Sequence, residues 1–157
     1  MKTNAIGINT EQAVQLAQNL NQLLANYQVF YMNARGYHWN IRGKDFFELH
    51  LKFEELYNDL LTKVDEIAER ILTLGEQPQH SYSAYLNQAD IVEQTLISDG
   101  SEAIGQILDS FKRIITRQRD LLSMAAEVND EGTAALMSDY IREQEKLVWM
   151  YGAYLNR

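Results

Sequence analysis

The stretch Asp45–Gly75, DFFELHLKFEELYNDLLTKVDEIAERILTLG, decides the fold. It has no Pro, and its one Gly is its last residue. Apolar residues recur three and four apart, so it reads as one long helix from about Asp45 to Leu74, closed by Gly75 and then by Pro78. Such a helix needs partners of similar length to cover its apolar stripe. It also carries His50, Glu54, Asp65 and Glu69, which at about 100° per residue fall within about 100° of arc.

Working outward, the preceding segment reads as a helix from about Thr10 to about Tyr37. Ala13, Leu16, Leu20, Leu23, Tyr27, Phe30, Ala34 and Tyr37 make its stripe, and Asn9 with Gln12 resembles a capping box. On the other side a third long helix begins near Ser98, with Asp99 and Glu102 in its first turn and Ile104, Ile107, Leu108, Phe111, Ile115, Leu122 and Ala125 as its stripe. A fourth starts after Asp130 and carries Leu136, Tyr140, Leu147, Val148, Tyr151 and Leu155. Gly43, Gly75, Gly100 and Gly132 fall where the periodicity stops. The segment Glu76 to Ile97 is too long for a tight turn, and Tyr82 to Leu86 reads as a short helix within it. Four long helices with short first and third connections and a long middle one describe an all-α four-helix bundle with one crossover. An up-down bundle with a floppy loop is the other arrangement of the same elements.

The chain has 157 residues, which suits a single domain over 1–157 with a short N-terminal tail over 1–8. Its 46% hydrophobic and 23% charged residues are those of a folded protein. The absence of Cys excludes disulfides, thiolate metal sites and Cys nucleophiles. A net charge of −8 attracts cations and disfavours phosphate backbones. Gln12–Ala34 is the longest charge-free run, at 23 residues, but nine of them are Asn or Gln, too polar to face lipid. The first residues have no apolar core of a secretory signal, and the expected location is the cytoplasm.

Three His are present. His80 reads as a solvated loop residue. His38 follows the end of the first helix, and His50 lies in the second turn of the next. His50 with Glu54 and Asp65 with Glu69 are i,i+4 pairs, a spacing that lets two side chains converge on one ion. An imidazole with carboxylates suits Fe(II), Mn(II) or Zn(II). The bland reading is a solvated charged face, the expected role of Glu66 with Arg70. Reach sharpens the choice. His50 and Asp65 are 15 residues apart on one helix, about 22 Å, so no single ion binds both from one chain. His38 belongs near His50, because the short connection joins those helix ends. The chain therefore offers a His end and a carboxylate end. A two-fold dimer would bring one chain's His end against the other's carboxylate end, making two equivalent sites. Two unrelated half-sites, or none, are the alternative.

At these residues the sequence resembles the Dps family, the ferritin-like proteins of DNA protection during starvation. One signature of that family is His38-Trp39-Asn40-Ile41-Arg42-Gly43, leading to Leu49-His50 and Glu54. The other is Val64-Asp65-Glu66-Ile67-Ala68-Glu69-Arg70, then Leu74-Gly75 and Pro78. The resemblance implies a ferritin-like four-helix bundle with a long crossover containing a short helix, assembled as a hollow dodecamer. It implies ferroxidase sites of two irons at the two-fold interfaces, with His38 and His50 from one subunit and Asp65 and Glu69 from its partner. The implied reaction is oxidation of Fe(II), with hydrogen peroxide as oxidant, and storage of the ferric mineral as a defence against oxidative damage.

Further roles follow from the same resemblance. Glu54 looks like an additional ligand or a nucleation group. Glu55 and Asp59 are candidates for an acidic inner surface, or are ordinary solvated acids. Asp130, Glu131 and Asp139 are candidates for an iron-entry pore, against the reading that Asp130 only caps the fourth helix. Trp39 resembles the aromatic beside the family's site, with core packing as its stronger reading, and Met32, Met124 and Met137 read as core fillers. Two features depart from neighbouring families. Glu143-Gln144-Glu145-Lys146 has Lys where classical ferritins have the His of an intra-bundle Glu-x-x-His, which argues against a di-iron centre within one chain. The termini offer only Lys2 and Arg157 in place of a Lys-rich tail, and the patch Lys112, Arg113, Arg117 and Arg119 has acids nearby, so DNA binding is not expected. A nucleoid-binding protein and a silent or zinc-binding shell are the competing readings.

Overall fold

The computed structural model describes residues 1–157 as five helices: α1 (Thr10–Asn40), α2 (Phe46–Thr73), α3 (Tyr82–Gln88), α4 (Gly100–Glu127) and α5 (Glu131–Tyr154). The four long ones are the bundle, with α1 packed on α2 and α4 on α5, and α1 also meeting α4 across the core. Three of the four long helices start on a side-chain cap, whereas Asp45 before α2 caps no backbone N–H. Asn9, Asp99 and Asp130 accept the backbone N–H three residues on, at 3.1, 2.9 and 3.0 Å. The apolar stripes close on one core that includes Leu20, Leu24, Phe30, Phe53, Leu60, Ile67, Ile104, Phe111 and Ile114.

The crossover is held by α1. Asn21 accepts from the Gln79 N–H at 2.8 Å, Asn26 from the Asp90 and Ile91 N–H groups at 2.9 Å, and Asn33 from the Gln94 N–H at 2.9 Å. The polar character that unfits α1 for lipid therefore has a second use. Its Asn side chains supply hydrogen-bond partners to an irregular segment that has no ladder of its own. The N-terminal tail is docked as well, with Asn4 donating to the Leu74 carbonyl at 3.0 Å.

Gln144 belongs to a buried ring of neutral side chains. Tyr27 donates to Gln118 at 2.5 Å, Gln118 to Gln144 at 2.8 Å, and Gln144 back to Tyr27 at 2.7 Å. This closed ring satisfies its buried members with each other and leaves no anionic oxygen for a cation.

Several expectations need correction. The first helix runs three residues further than Tyr37, so His38 sits inside its last turn. The third long helix starts at Gly100, with Asp99 as its cap. Met32 lies on the outer side of α1, half exposed, whereas Met137 is core. Glu66 and Arg70 form no ion pair. Tyr140 donates to Glu66 at 3.0 Å, while Arg70 reaches across to α5.

Candidate metal centre

The loop between α1 and α2 is five residues, 41–45, and turns through Gly43 at φ +115°, a conformation that costs a side-chain-bearing residue strain. The tight turn lays the last turn of α1 against the second turn of α2. There the His38 and His50 rings stack with centroids 3.8 Å apart and planes 13° from parallel. Each ring is tied to the other's backbone. His38 Nδ1 lies 2.6 Å from the His50 carbonyl, and His50 Nδ1 lies 2.7 Å from the His38 carbonyl. A carbonyl oxygen only accepts, so both Nδ1 atoms donate, and in the neutral ring each Nε2 keeps a lone pair. This is the second-sphere arrangement that fixes the tautomer of a metal-binding imidazole. Phe46 covers the far face of His50 at 4.9 Å, and Tyr57 meets His38 edge-on at 5.3 Å. His38 is 7% exposed and His50 partly exposed, so both rings are held without being sealed off.

The carboxylates sit elsewhere on the same helix. Asp65 and Glu69 are exposed near the far end of α2, and Glu54 is half-buried one turn beyond His50. None of the three takes part in any of the chain's ion pairs. Since α2 is unbroken from Phe46 to Thr73, the 22 Å or so between the two ends stands. No three His, Asp or Glu side chains of one chain converge on a point that could hold a metal ion.

The other acids are placed differently. Asp59 and Glu143 both bind the buried Lys63, at 2.8 and 2.9 Å, and Glu55 binds Lys52 at 3.0 Å. Burial pulls the Lys63 pKa down, but the hydrogen bonds and charges of Asp59 and Glu143 outweigh it, and the net shift is upward. Asp130 is 1% exposed and turned inward. Its carboxylate caps Thr133 and takes the Arg70 guanidinium at 2.7 Å, while Arg70 also donates to Thr133 at 3.0 Å. Capping is therefore its observed role. Of the three acids considered for a pore, Glu131 and Asp139 are the exposed ones, Asp139 beside Arg142 at 3.3 Å.

Trp39 is 57% exposed and is not a core residue. One step of the helix separates it from His38 and two from Tyr37, and those two take the inward side. Its partner is Arg35, whose guanidinium lies 4.7 Å from the indole, 5.5 Å from Tyr31 and 5.7 Å from Tyr57. This cation–aromatic nest beside His38 went unread in the sequence. The i,i+4 pairs Tyr31–Arg35 and Arg35–Trp39 were its only signal. The basic patch of α4 is mostly neutralised, since Arg113 pairs with Asp109, Arg117 with Asp90 and Arg119 with Glu145.

A bundle of four long helices with one crossover is the architecture of the ferritin-like class. Comparison with known proteins agrees. The ferritin-like domain family matches residues 17–157. A Dps protein of Vibrio cholerae, described as a member of a broad superfamily of ferritin-like diiron-carboxylate proteins, superposes with a TM-score of 0.97 at 61% identity, covering 99% of this chain and 98% of that one. A DNA protection during starvation protein of Porphyromonas gingivalis is 40% identical over 96% of this chain and 95% of its own length. A Dps protein of Bacillus brevis has a TM-score of 0.90 at 34% identity, covering 94% and 99% of the two chains. The chain belongs to the ferritin-like family, in its Dps branch.

Proposed function

We propose that this protein oxidises Fe(II) with hydrogen peroxide at sites shared between two subunits and stores the ferric product in a hollow, twelve-subunit shell in the cytoplasm. One observation carries the reading. Two imidazoles are fixed with free Nε2 atoms at one end of α2, and two carboxylates without cations stand about 22 Å away on the same rigid helix. Each half-set is incomplete alone, and a two-fold axis completes both at once.

In this reading His38 and His50 of one subunit and the partner's Asp65 and Glu69 hold the iron substrate, and Glu54 adds a ligand beside the imidazoles. Neutral imidazoles and hard carboxylate oxygens suit Fe(II) entry and Fe(III) stabilisation. Two adjacent Fe(II) ions each give one electron to a peroxide. Its O–O bond breaks, two protons are taken up, two waters form and no hydroxyl radical is released. The carboxylates left for mineral nucleation are Glu55, held by one oxygen, and more weakly Asp59, both of whose oxygens face Lys63. Glu131 and Asp139 are the acids available to an entry pore, where a ring of charge would concentrate Fe(II).

The test is anaerobic titration of Fe(II) with peroxide in the presence of a spin trap. About two Fe(II) consumed per peroxide without trapped radical supports the paired site, and free-solution stoichiometry with abundant radical rejects it. Complementation tests the sharing. Chains with His38→Ala and chains with Asp65→Ala are each inactive. Reassembled together at random, half the dimers are mixed and each mixed dimer has one intact site, so about a quarter of wild-type activity returns. A second reading, protection of DNA by binding it, is favoured by the names of the relatives. A gel shift at low and moderate salt decides it, and the neutralised α4 patch leads to no retained shift at moderate salt.

A further inference from the structure

The two carbonyl bonds fix one nitrogen of each imidazole. They do not by themselves fix the ring planes, because the terminal torsion of a histidine is broad and a ring can tilt about a single hydrogen bond. Packing on the ring faces supplies the second constraint, and here the two imidazoles differ. His50 lies between two near-parallel rings, His38 at 3.8 Å and 13° and Phe46 at 4.9 Å and 18°. His38 has a parallel ring on one side only, since Tyr57 meets it at 73°. Phe46, His50 and His38 therefore form a column of three stacked rings, in which Phe46 is the one member with no lone pair to offer.

Phe46 is itself held in place. It is the first residue of α2, four before His50, a spacing that puts the two side chains on one side of the helix. Its N–H bonds to the Gly43 carbonyl at 3.2 Å, its side chain is half-buried, and Phe47 meets its ring at 5.3 Å and 78°. The stack has an electronic side as well. A cation bound at Nε2 draws charge from the imidazole and leaves that ring partly positive. The face of a phenyl ring carries the negative part of its quadrupole, so it favours this state over the neutral one.

We propose that Phe46 is a positioning residue of the metal centre: its ring clamps the plane of His50 from the side opposite His38, keeps the Nε2 lone pair in one direction, and favours the metal-bound imidazole over the free one. A side chain that only filled space here would be replaceable by any apolar group of similar bulk. One that acts through its ring face is replaceable only by another aromatic ring. This rests on the shared-site reading, but the complementation experiment decides that reading without involving Phe46.

The test is titration of the assembled, metal-free protein with Co(II), whose visible absorption bands report the geometry of its ligands. Phe46→Leu keeps an apolar side chain but removes the ring face. It binds Co(II) about tenfold more weakly, with shifted bands. Phe46→Tyr keeps the face and retains the wild-type affinity and bands. In a His50→Ala background, Phe46→Leu has no further effect on Co(II) affinity. Wild-type affinity and bands in Phe46→Leu overturn the proposal. So does an equal loss in the Leu and Tyr variants, or an equal effect of Phe46→Leu with and without His50, since either makes the position one of packing alone. Should Phe46→Leu fail to fold, Phe46→Met, whose flexible side chain fills irregular gaps, takes its place under the same criteria.

Discussion

Two polar clusters on α2 invite comparison, the imidazole pair at His38 and His50 and the cluster of Lys63 with Asp59 and Glu143. Both draw on α2 and a neighbouring helix, and both are packed by an aromatic ring, Tyr57 in the first case and Tyr140 in the second. They differ in what is left over. In the Lys63 cluster the ammonium meets three carboxylate oxygens within 2.9 Å, so all three of its donors are used and two acids share one cation. In the His pair every donor is used and two acceptor lone pairs remain. A cluster that already contains its cation is structure, and one that keeps matched lone pairs is open to a cation. The same criterion separates Asp130, whose charge is paired with Arg70 and whose Oδ1 also caps Thr133, from Asp65 and Glu69, which no cation of their own chain pairs.

The largest effect should come from the open cluster. Replacing His38 by Ala removes one Nε2 and the clamp on His50, and Fe(II) oxidation measured by stopped-flow absorbance should fall about 100-fold or more. Helix content by circular dichroism should stay unchanged, since α1 already ends within that turn. Lys63→Met breaks the comparison from the other side. It removes the buried charge from a cluster whose acids are themselves half exposed, so stability in urea should fall by about 1–2 kcal/mol while the oxidation rate stays at the wild-type value. A large loss of rate in a folded Lys63→Met variant would show that the closed cluster is not closed.

Asp130 gives the sharpest stability test. Asp130→Ala strands the Arg70 guanidinium beneath the start of α5 and uncaps that helix, and should cost about 3 kcal/mol. Gly132 belongs to the same device, because a Cβ there would lie 2.7 Å from the guanidinium nitrogens. Gly132→Ala should therefore destabilise even though the residue is helical, where Ala is ordinarily the better choice. Thermal denaturation of the two single variants and the double variant would show strong coupling between them.

What the sequence disclosed follows the same division. Helix count, the crossover and the His and carboxylate ends could be read because each depends on spacing along one chain, where periodicity and a rise of about 1.5 Å per residue do the work. The Arg70–Asp130 pair could not, because its partners are 60 residues apart and Arg70 has a nearer acid, Glu66, at the favoured helical spacing. Nor could the exposure of Trp39 and Met32. Both are large and apolar, and only packing decides which side of a helix crowded with apolar residues faces inward. The crossover pins Asn21, Asn26 and Asn33 looked like mere polarity, since their carbonyl and amide partners lie on an irregular segment without a readable period.

The smallest predicted effect lies at the rim of the His end. The Tyr154 hydroxyl near the end of α5 donates to Asp45 at the start of α2, at 2.6 Å. That hydrogen bond, with some burial and the nearby acids, holds the tyrosine pKa up to about 12. The pKa is raised on folding, so the contribution is fully present below the unfolded value of about 10 and is lost as pH rises toward 12. The pair is largely solvated, so the loss is small. Tyr154→Phe should lower the unfolding free energy measured in urea slightly at pH 8, by less than about 1 kcal/mol, and the gap between variant and wild type should close by pH 12. Fe(II) oxidation at pH 7 should not change, because the two-carbonyl clamp on the imidazoles does not pass through Asp45. A slower rate in Tyr154→Phe would mean that the Asp45 contact helps to aim His50, and the open cluster would then extend one turn further than its hydrogen bonds indicate.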